Sequence, residues 1–172
     1  MLDVQAFHFT DDGETPNNPR LPLLVYRRAL SLDGECDPAV PFERVFAAHG
    51  WADGWRNGIY PFLHFHTAAH EVLGIARGRA TVEFGGVKGR TLDVEAGDVV
   101  VLPAGTGHRR VAASGDLLVV GAYPRNGSFD QKRPGQVSHE KAVAAIAEVP
   151  LPEMDPVQGR TGPLLTLWKS SK

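Results

Sequence analysis

The chain is poor in cysteine. Cys36 stands alone among 172 residues, so no internal disulfide can form. A reducing compartment is the expected setting, and stability has to come from a packed core. An excess of one charge is missing too. Eighteen Lys and Arg face twenty Asp and Glu, for a net charge of −2, and no run of like charges occurs. A nucleic-acid or membrane-surface partner would call for a basic stripe, so neither is expected. No apolar run approaches the roughly 20 residues of a membrane span. Residues 1–12 carry neither the basic nor the apolar stretch of a secretory leader, which points to a cytoplasmic protein. No repeat of about 20–50 residues is visible, which disfavours propellers and solenoids. The Walker pattern, a strand-to-helix G-x-G-x-x-G and a nucleophile elbow are likewise missing. Cys36 has no basic neighbour in Gly34-Glu35-Cys36-Asp37 to activate its thiol.

What is present suits one β-rich domain over 1–172. Hydrophobic residues make up 42%, enough for a real core, while 19 glycines and 13 prolines imply many turns. The stretch 10–20 is polar and turn-rich and reads as a loop or mobile arm. A strand is expected within 21–30, and a helix over 39–49 behind Asp37 and Pro38. Residues 51–60, rich in Gly and Trp, read as a structured loop. Short strands separated by glycine turns follow at 62–66, 71–77, 80–84, 91–94, 98–102, 108–112 and 117–123. A helix capped by Ser138 is expected over 138–148, and a last strand over 164–168.

Three of the seven histidines lie within seven residues, at 64, 66 and 70. On a strand, His64 and His66 point the same way, which is how a strand offers two imidazoles to one metal ion. A hairpin can bring Glu71 opposite them. His108, after the turn Pro103-Ala104-Gly105-Thr106-Gly107, can add a third imidazole. Three imidazoles and a carboxylate suit one divalent transition metal ion (iron, manganese, nickel, zinc or copper) rather than calcium or magnesium. Four protein ligands leave one or two positions open for water, substrate or dioxygen. The plainer alternative, four ordinary polar residues, would bury ionisable groups without partners at a cost of several kcal/mol.

The segment from Gly58 through His64, His66 and Glu71 to Gly78 resembles the first conserved motif of the cupin family, matching it at every fixed position. Gly97, Pro103, Gly105 and His108 resemble the second motif, whose terminal Asn is replaced here by Ala112. Trp55-Arg56-Asn57-Gly58, His70-Glu71-Val72-Leu73-Gly74, Gly121-Ala122-Tyr123-Pro124 and the Pro-rich stretch 149–157 are similar to the YjlB-like branch of cupins. The resemblance implies an all-β fold, a double-stranded β-helix or jelly-roll barrel. Its core would span about 58–124, with short flanking helices and terminal extensions packed on it. It also implies that His64, His66, Glu71 and His108 are metal ligands on the inner wall.

Other residues have two readings each. Arg110 shares the His108 face and would either bind an anionic substrate group or pair with an acidic neighbour. Arg56 is a candidate for the pocket rim. Tyr60 and Tyr123 are candidate substrate hydrogen-bond donors, with core packing as the plainer role. Trp51 and Trp55 are expected to pack rather than to form a lid. His70 should face away from Glu71, as a surface or interface histidine, or else as a residue supporting the metal or an alternative ligand to it. Leu63 and Phe65 fall on the opposite face from His64 and His66. That face needs cover, either from the chain itself or from a second copy, and a homodimer is expected. The functional expectation is a metal-dependent enzyme on a small polar metabolite, of dioxygenase or isomerase type. The alternative is a non-catalytic module that binds a small-molecule ligand.

Overall fold

The structure, a computed structural model, describes residues 2–125 and 129–169. Nine strands form two antiparallel sheets among these residues. The larger sheet holds β1 (Asp3–Phe7), β2 (Leu23–Arg27), β3 (Trp51–Asn57), β4 (Glu71–Arg77), β7 (Val99–Leu102) and β9 (Leu118–Pro124), in the order β1-β2-β7-β4-β9-β3. The smaller holds β5 (Arg79–Phe84), β6 (Arg90–Glu95) and β8 (His108–Ala113), in the order β6-β5-β8. This is the all-β, two-sheet barrel the motifs imply. It reaches further toward the N-terminus than residue 58, because β1, β2 and β3 all precede that point.

Strand parity decides what goes where. Side chains alternate faces along a strand. On β2, β4, β7 and β9, Leu23, Val25, Leu73, Ile75, Val100, Leu102 and Val119 point into the barrel. There they meet Ala80, Val82, Phe84 and Val94 of the smaller sheet. The intervening residues, Leu24, Tyr26, Val72, Val99, Val101, Val120 and Ala122, form a second core on the outside of the larger sheet. Helix α1 (Val40–Ala48) covers that face with Phe42 and Phe46, and α3 (Pro163–Lys169) with Leu164 and Trp168. Burial on both faces explains why β4 reads as a nearly unbroken apolar run. Gly74 is what lets α1 sit so close, since a Cβ there would come within 2.3 Å of the Phe42 ring.

Several expectations need correction. Residues 51–60 are not all loop. Asp53 and Gly54, which look like a turn, lie in a β-bulge between Ala52 and Trp55, with Asp53 at φ 51°, and the strand continues on both sides. Residues 164–168 form helix α3 rather than a strand. The Asp155 carboxylate accepts from Leu164 N–H at the start of α3, and Leu164 and Trp168 are one helical turn apart on the buried side. In so short an apolar run, helical and strand spacing are hard to tell apart. Residues 62–66 make only isolated bridges, His64 with His108 and Phe65 with Lys132. Phe65 is buried by this chain itself, which removes part of the argument for a dimer. The 10–20 arm is pinned rather than mobile. Asn17 donates to the carbonyls of Thr10 and Gly85 and accepts from Gly107 N–H, and Asn18 donates to the Ala104 carbonyl. The expected helices appear within a residue or so of their ends, as α1 and as α2 (His139–Ala147), with the Ser138 hydroxyl accepting from Lys141 N–H.

Candidate metal centre

Parity also builds the site. Glu71 and Tyr123 share the inner face of β4 and β9 with Leu73 and Val119. His108 opens β8 on the opposite wall. His64 and His66 lie on the segment that bridges to it, through reciprocal His64–His108 backbone hydrogen bonds of 3.2 and 2.9 Å. The loop before His108 is held from outside: Asn17 and Asn18 hold Gly107 and Ala104, and Gly105 N–H donates to the His66 carbonyl at 2.7 Å. A β-carbon at Gly105 would strike the Asn17 carbonyl at 2.3 Å, so glycine is required for this close approach.

His64, His66 and His108 are buried, and one ring nitrogen of each lies within 4.8 Å of those of the other two. Glu71 closes the group, with Oε2 3.1 Å from His66 Nε2 and 3.4 Å from His108 Nε2. The outward nitrogens decide the protonation. His64 Nδ1 faces the Phe62 carbonyl at 3.1 Å, His108 Nδ1 the Thr106 carbonyl at 3.0 Å, and His66 Nδ1 the Asp130 carbonyl. A carbonyl can only accept, so each Nδ1 carries a proton, and each ring turns its Nε2 inward. This is the arrangement that orients metal-bound histidines. With those three nitrogens deprotonated, three lone pairs and a carboxylate would converge on one divalent ion, which satisfies them all.

Without an ion, one proton is drawn into the cluster. Burial opposes charge on His66, but Glu71 and Asp130 outweigh it and raise its pKa to about 9. Burial, reinforced by the neighbouring His108, pushes His64 down to about 3. Burial alone would raise Glu71, but the adjacent His66 and His108 hold it well below the usual carboxylate range.

A cavity of about 250 Å³ opens onto this cluster. Of the candidate substrate residues, it brings together Tyr60, Tyr123 and Arg56. Arg110 instead lines a neighbouring depression across the strip 57–60. Arg56 is not free, since its guanidinium bonds Glu43 at 2.5 and 2.8 Å and Asp37 at 2.7 Å. Tyr123 is the more informative residue. Trp55 Nε1–H donates to its hydroxyl at 2.9 Å, and that hydroxyl donates to Glu71 Oε1 at 3.2 Å. One carboxylate oxygen is thereby occupied, and Oε2 is left to face the histidines. Trp55 lines the cavity rather than simply packing, and a Cβ at Gly121 would overlap its ring at 2.1 Å. Trp51 packs in the outer core, as expected.

Sequence reasoning missed Phe129, Asp130 and Gln131. Phe129 and Gln131 line the cavity. Asp130 accepts from Thr67 N–H, Ala68 N–H and the Thr67 hydroxyl, and its carbonyl orients His66. No local signal marks them, because their role comes from a contact more than 60 positions away. His70 is neither at the surface nor in the cluster. It is fully buried beside Trp168, ring centroids 4.7 Å apart, and its Nδ1 accepts from Ala104 N–H at 2.9 Å. It therefore braces the loop that carries His108.

Residues 52–147 match the cupin family. The chain belongs to that family. It is 40% identical over 166 residues to the uncharacterised protein YjlB of Bacillus subtilis (strain 168), covering 96% of this chain and 97% of that one. Among solved structures, it is similar to an acireductone dioxygenase from Bacillus anthracis with a cadmium ion in its active centre. Identity there is 16% and the TM-score 0.40, over 60% of this cupin and 72% of that chain. A variant of Bacillus subtilis oxalate decarboxylase matches at 20% identity and TM-score 0.39, over 65% of this chain and 27% of that one. No helix among the described residues is long and apolar enough to cross a membrane.

Proposed function

We propose that this cupin is a metal-dependent enzyme acting on a small molecule, with chemistry of the dioxygenase or isomerase type. His64, His66, Glu71 and His108 would hold one divalent transition metal ion. The observation that carries this reading is the set of three Nδ1–H groups turned to backbone carbonyls, which leaves three Nε2 atoms facing inward beside a carboxylate. Imidazole and carboxylate donors suit manganese, iron, nickel, copper or zinc. When bound, such an ion supplies Lewis acidity or a place for dioxygen. The chain's own groups do the rest. Tyr123 fixes Glu71, and Tyr60, Asn57 and Gln131 offer hydrogen bonds to a ligand.

The test is metal content by plasma mass spectrometry on protein purified without a histidine tag or chelator. Near-stoichiometric metal is expected, and it should be lost in His64→Ala/His66→Ala while the fold, judged by circular dichroism, survives. Full metal retention in that double variant would refute the ligand assignment. No uptake of manganese, iron or zinc by the natural chain would refute the enzyme reading in favour of a metal-free binding module.

A further inference from the structure

The cavity wall bears on the ligand's body, an inference that rests on the metal reading above. Two exposed aromatic side chains occur among the described residues, Tyr60 and Phe129, and both border this one cavity. Tyr60 meets the edge of His64 at 5.5 Å, and Phe129 lies 5.5 Å from the His66 ring and 4.9 Å from Tyr123. Large aromatics left in water around a concave site mark a surface that meets a ligand. Trp55, Ile59 and Leu73 extend the apolar wall, and the remaining neutral polar groups, Asn57 and Gln131, can orient but not neutralise.

The wall's charge is as informative. Among the described lining residues, Arg56 is the one permanent cation, and Asp37 and Glu43 both occupy it. Arg110 has no acidic partner among the described residues, but it faces the depression beyond 57–60, with its NH1 next to Gly58. A carboxylate or phosphate on the ligand's body would therefore be desolvated against aromatic rings without a counter-charge, which is strongly unfavourable. Negative charge is welcome at one place only. A divalent ion with three neutral imidazoles and Glu71 leaves one net positive charge, which an anionic oxygen bound to the metal would neutralise. The 250 Å³ volume lies just below the range of sites that take drug-sized ligands.

We propose that the cavity takes a small molecule with an apolar or aromatic body that meets the metal through its oxygen atoms, and that it turns away bodies bearing a carboxylate or phosphate.

A matched pair of probes tests this: 4-methylcatechol and 3,4-dihydroxybenzoate. Both offer two adjacent hydroxyls and differ in a methyl against a carboxylate. The full chain loaded with cobalt(II) is titrated with each, followed by its visible absorption. 4-Methylcatechol is expected to bind at least about tenfold more tightly, and equal or tighter binding of the acid would overturn the proposal. Tyr60→Ala and Phe129→Ala should each weaken 4-methylcatechol severalfold while cobalt affinity stays unchanged; no loss in either variant would also overturn it. Phe129→Arg should reverse the preference. The metal-free chain is titrated in parallel by tryptophan fluorescence. If cobalt does not load, the metal reading fails, and the metal-free titration still decides the ligand class: preference for the neutral probe supports the proposal, and preference for the acid or binding of neither overturns it.

Discussion

Tyr123→Phe removes one hydroxyl and leaves the ring in place. The direction of the hydrogen-bond chain is fixed by chemistry. An indole N–H can only donate, so Tyr123 accepts from Trp55, and its own proton goes to Glu71 Oε1. Burial, with Glu71 beside it, pushes the Tyr123 hydroxyl up, so it stays a donor across the working pH range. Glu71 is 2% exposed, so loss of the donor leaves one oxygen of a buried carboxylate without its protein partner. A hydrogen bond to a charged group contributes about 1.5–3 kcal/mol. In a domain of this size each kcal/mol is about 2–4 °C, so the melting temperature should fall by roughly 3–12 °C. Trp55 is partly exposed and can find water, so its share of the loss is small. The freed carboxylate can rotate, and loss of such outer partners typically weakens metal binding about 10–100-fold. Calorimetric melting of the metal-free protein and competition against a chromogenic zinc chelator read the two effects separately. A variant that melts like the natural chain and holds zinc within about twofold of it would refute the positioning role of Tyr123.

Three further outcomes follow from the same geometry. Burial lowers the pKa of His64 to about 3, with His108 adding, and that of His70 to about 4, so both stay neutral in the fold where the unfolded chain takes up protons. Stability of the metal-free protein should fall as pH drops below about 6.5, and His66, raised to about 9, should lose its contribution as pH climbs through that value; a melting temperature flat from pH 4 to 6.5 would contradict this. Gly74→Ala places a methyl 2.3 Å from the Phe42 ring and should cost about 1–3 kcal/mol in denaturant unfolding while zinc affinity holds, because position 74 faces away from the histidine cluster; equal stability would mean α1 is not seated there. Asp155→Asn turns a buried acceptor of four hydrogen bonds, from the Tyr26 hydroxyl and the N–H groups of Val157, Gln158 and Leu164, into a mixed donor, and should cost about 2–3 kcal/mol by the same measurement; wild-type stability would show that this carboxylate does not anchor the C-terminal segment.

The sequence by itself pointed to a β-rich sandwich or barrel and, through the motifs that resemble those of the cupins, to His64, His66, Glu71 and His108 as candidate ligands. Both are written in short-range terms: period-2 alternation, glycines at turns, and His64-x-His66 followed by Glu71 at a spacing that one strand and one turn convert into a shared face. The β3 bulge and α3 were not legible, because Asp53-Gly54 and the run 164–168 each suit two local conformations, and packing on β9 and on the outer core chooses between them. Tertiary structure alone decided what surrounds these four residues. Asn17, Asn18 and His70 brace the loop before His108, Asp130 orients His66, and Tyr123 with Trp55 takes one oxygen of Glu71. It also withdrew Arg56 by pairing it with Asp37 and Glu43, and it set Arg110 beyond the cavity. Each of these contacts joins positions 13 to 90 residues apart. A side chain's freedom to meet a ligand depends on which neighbours have already claimed its hydrogen bonds, and chain folding, not local spacing, assigns those neighbours.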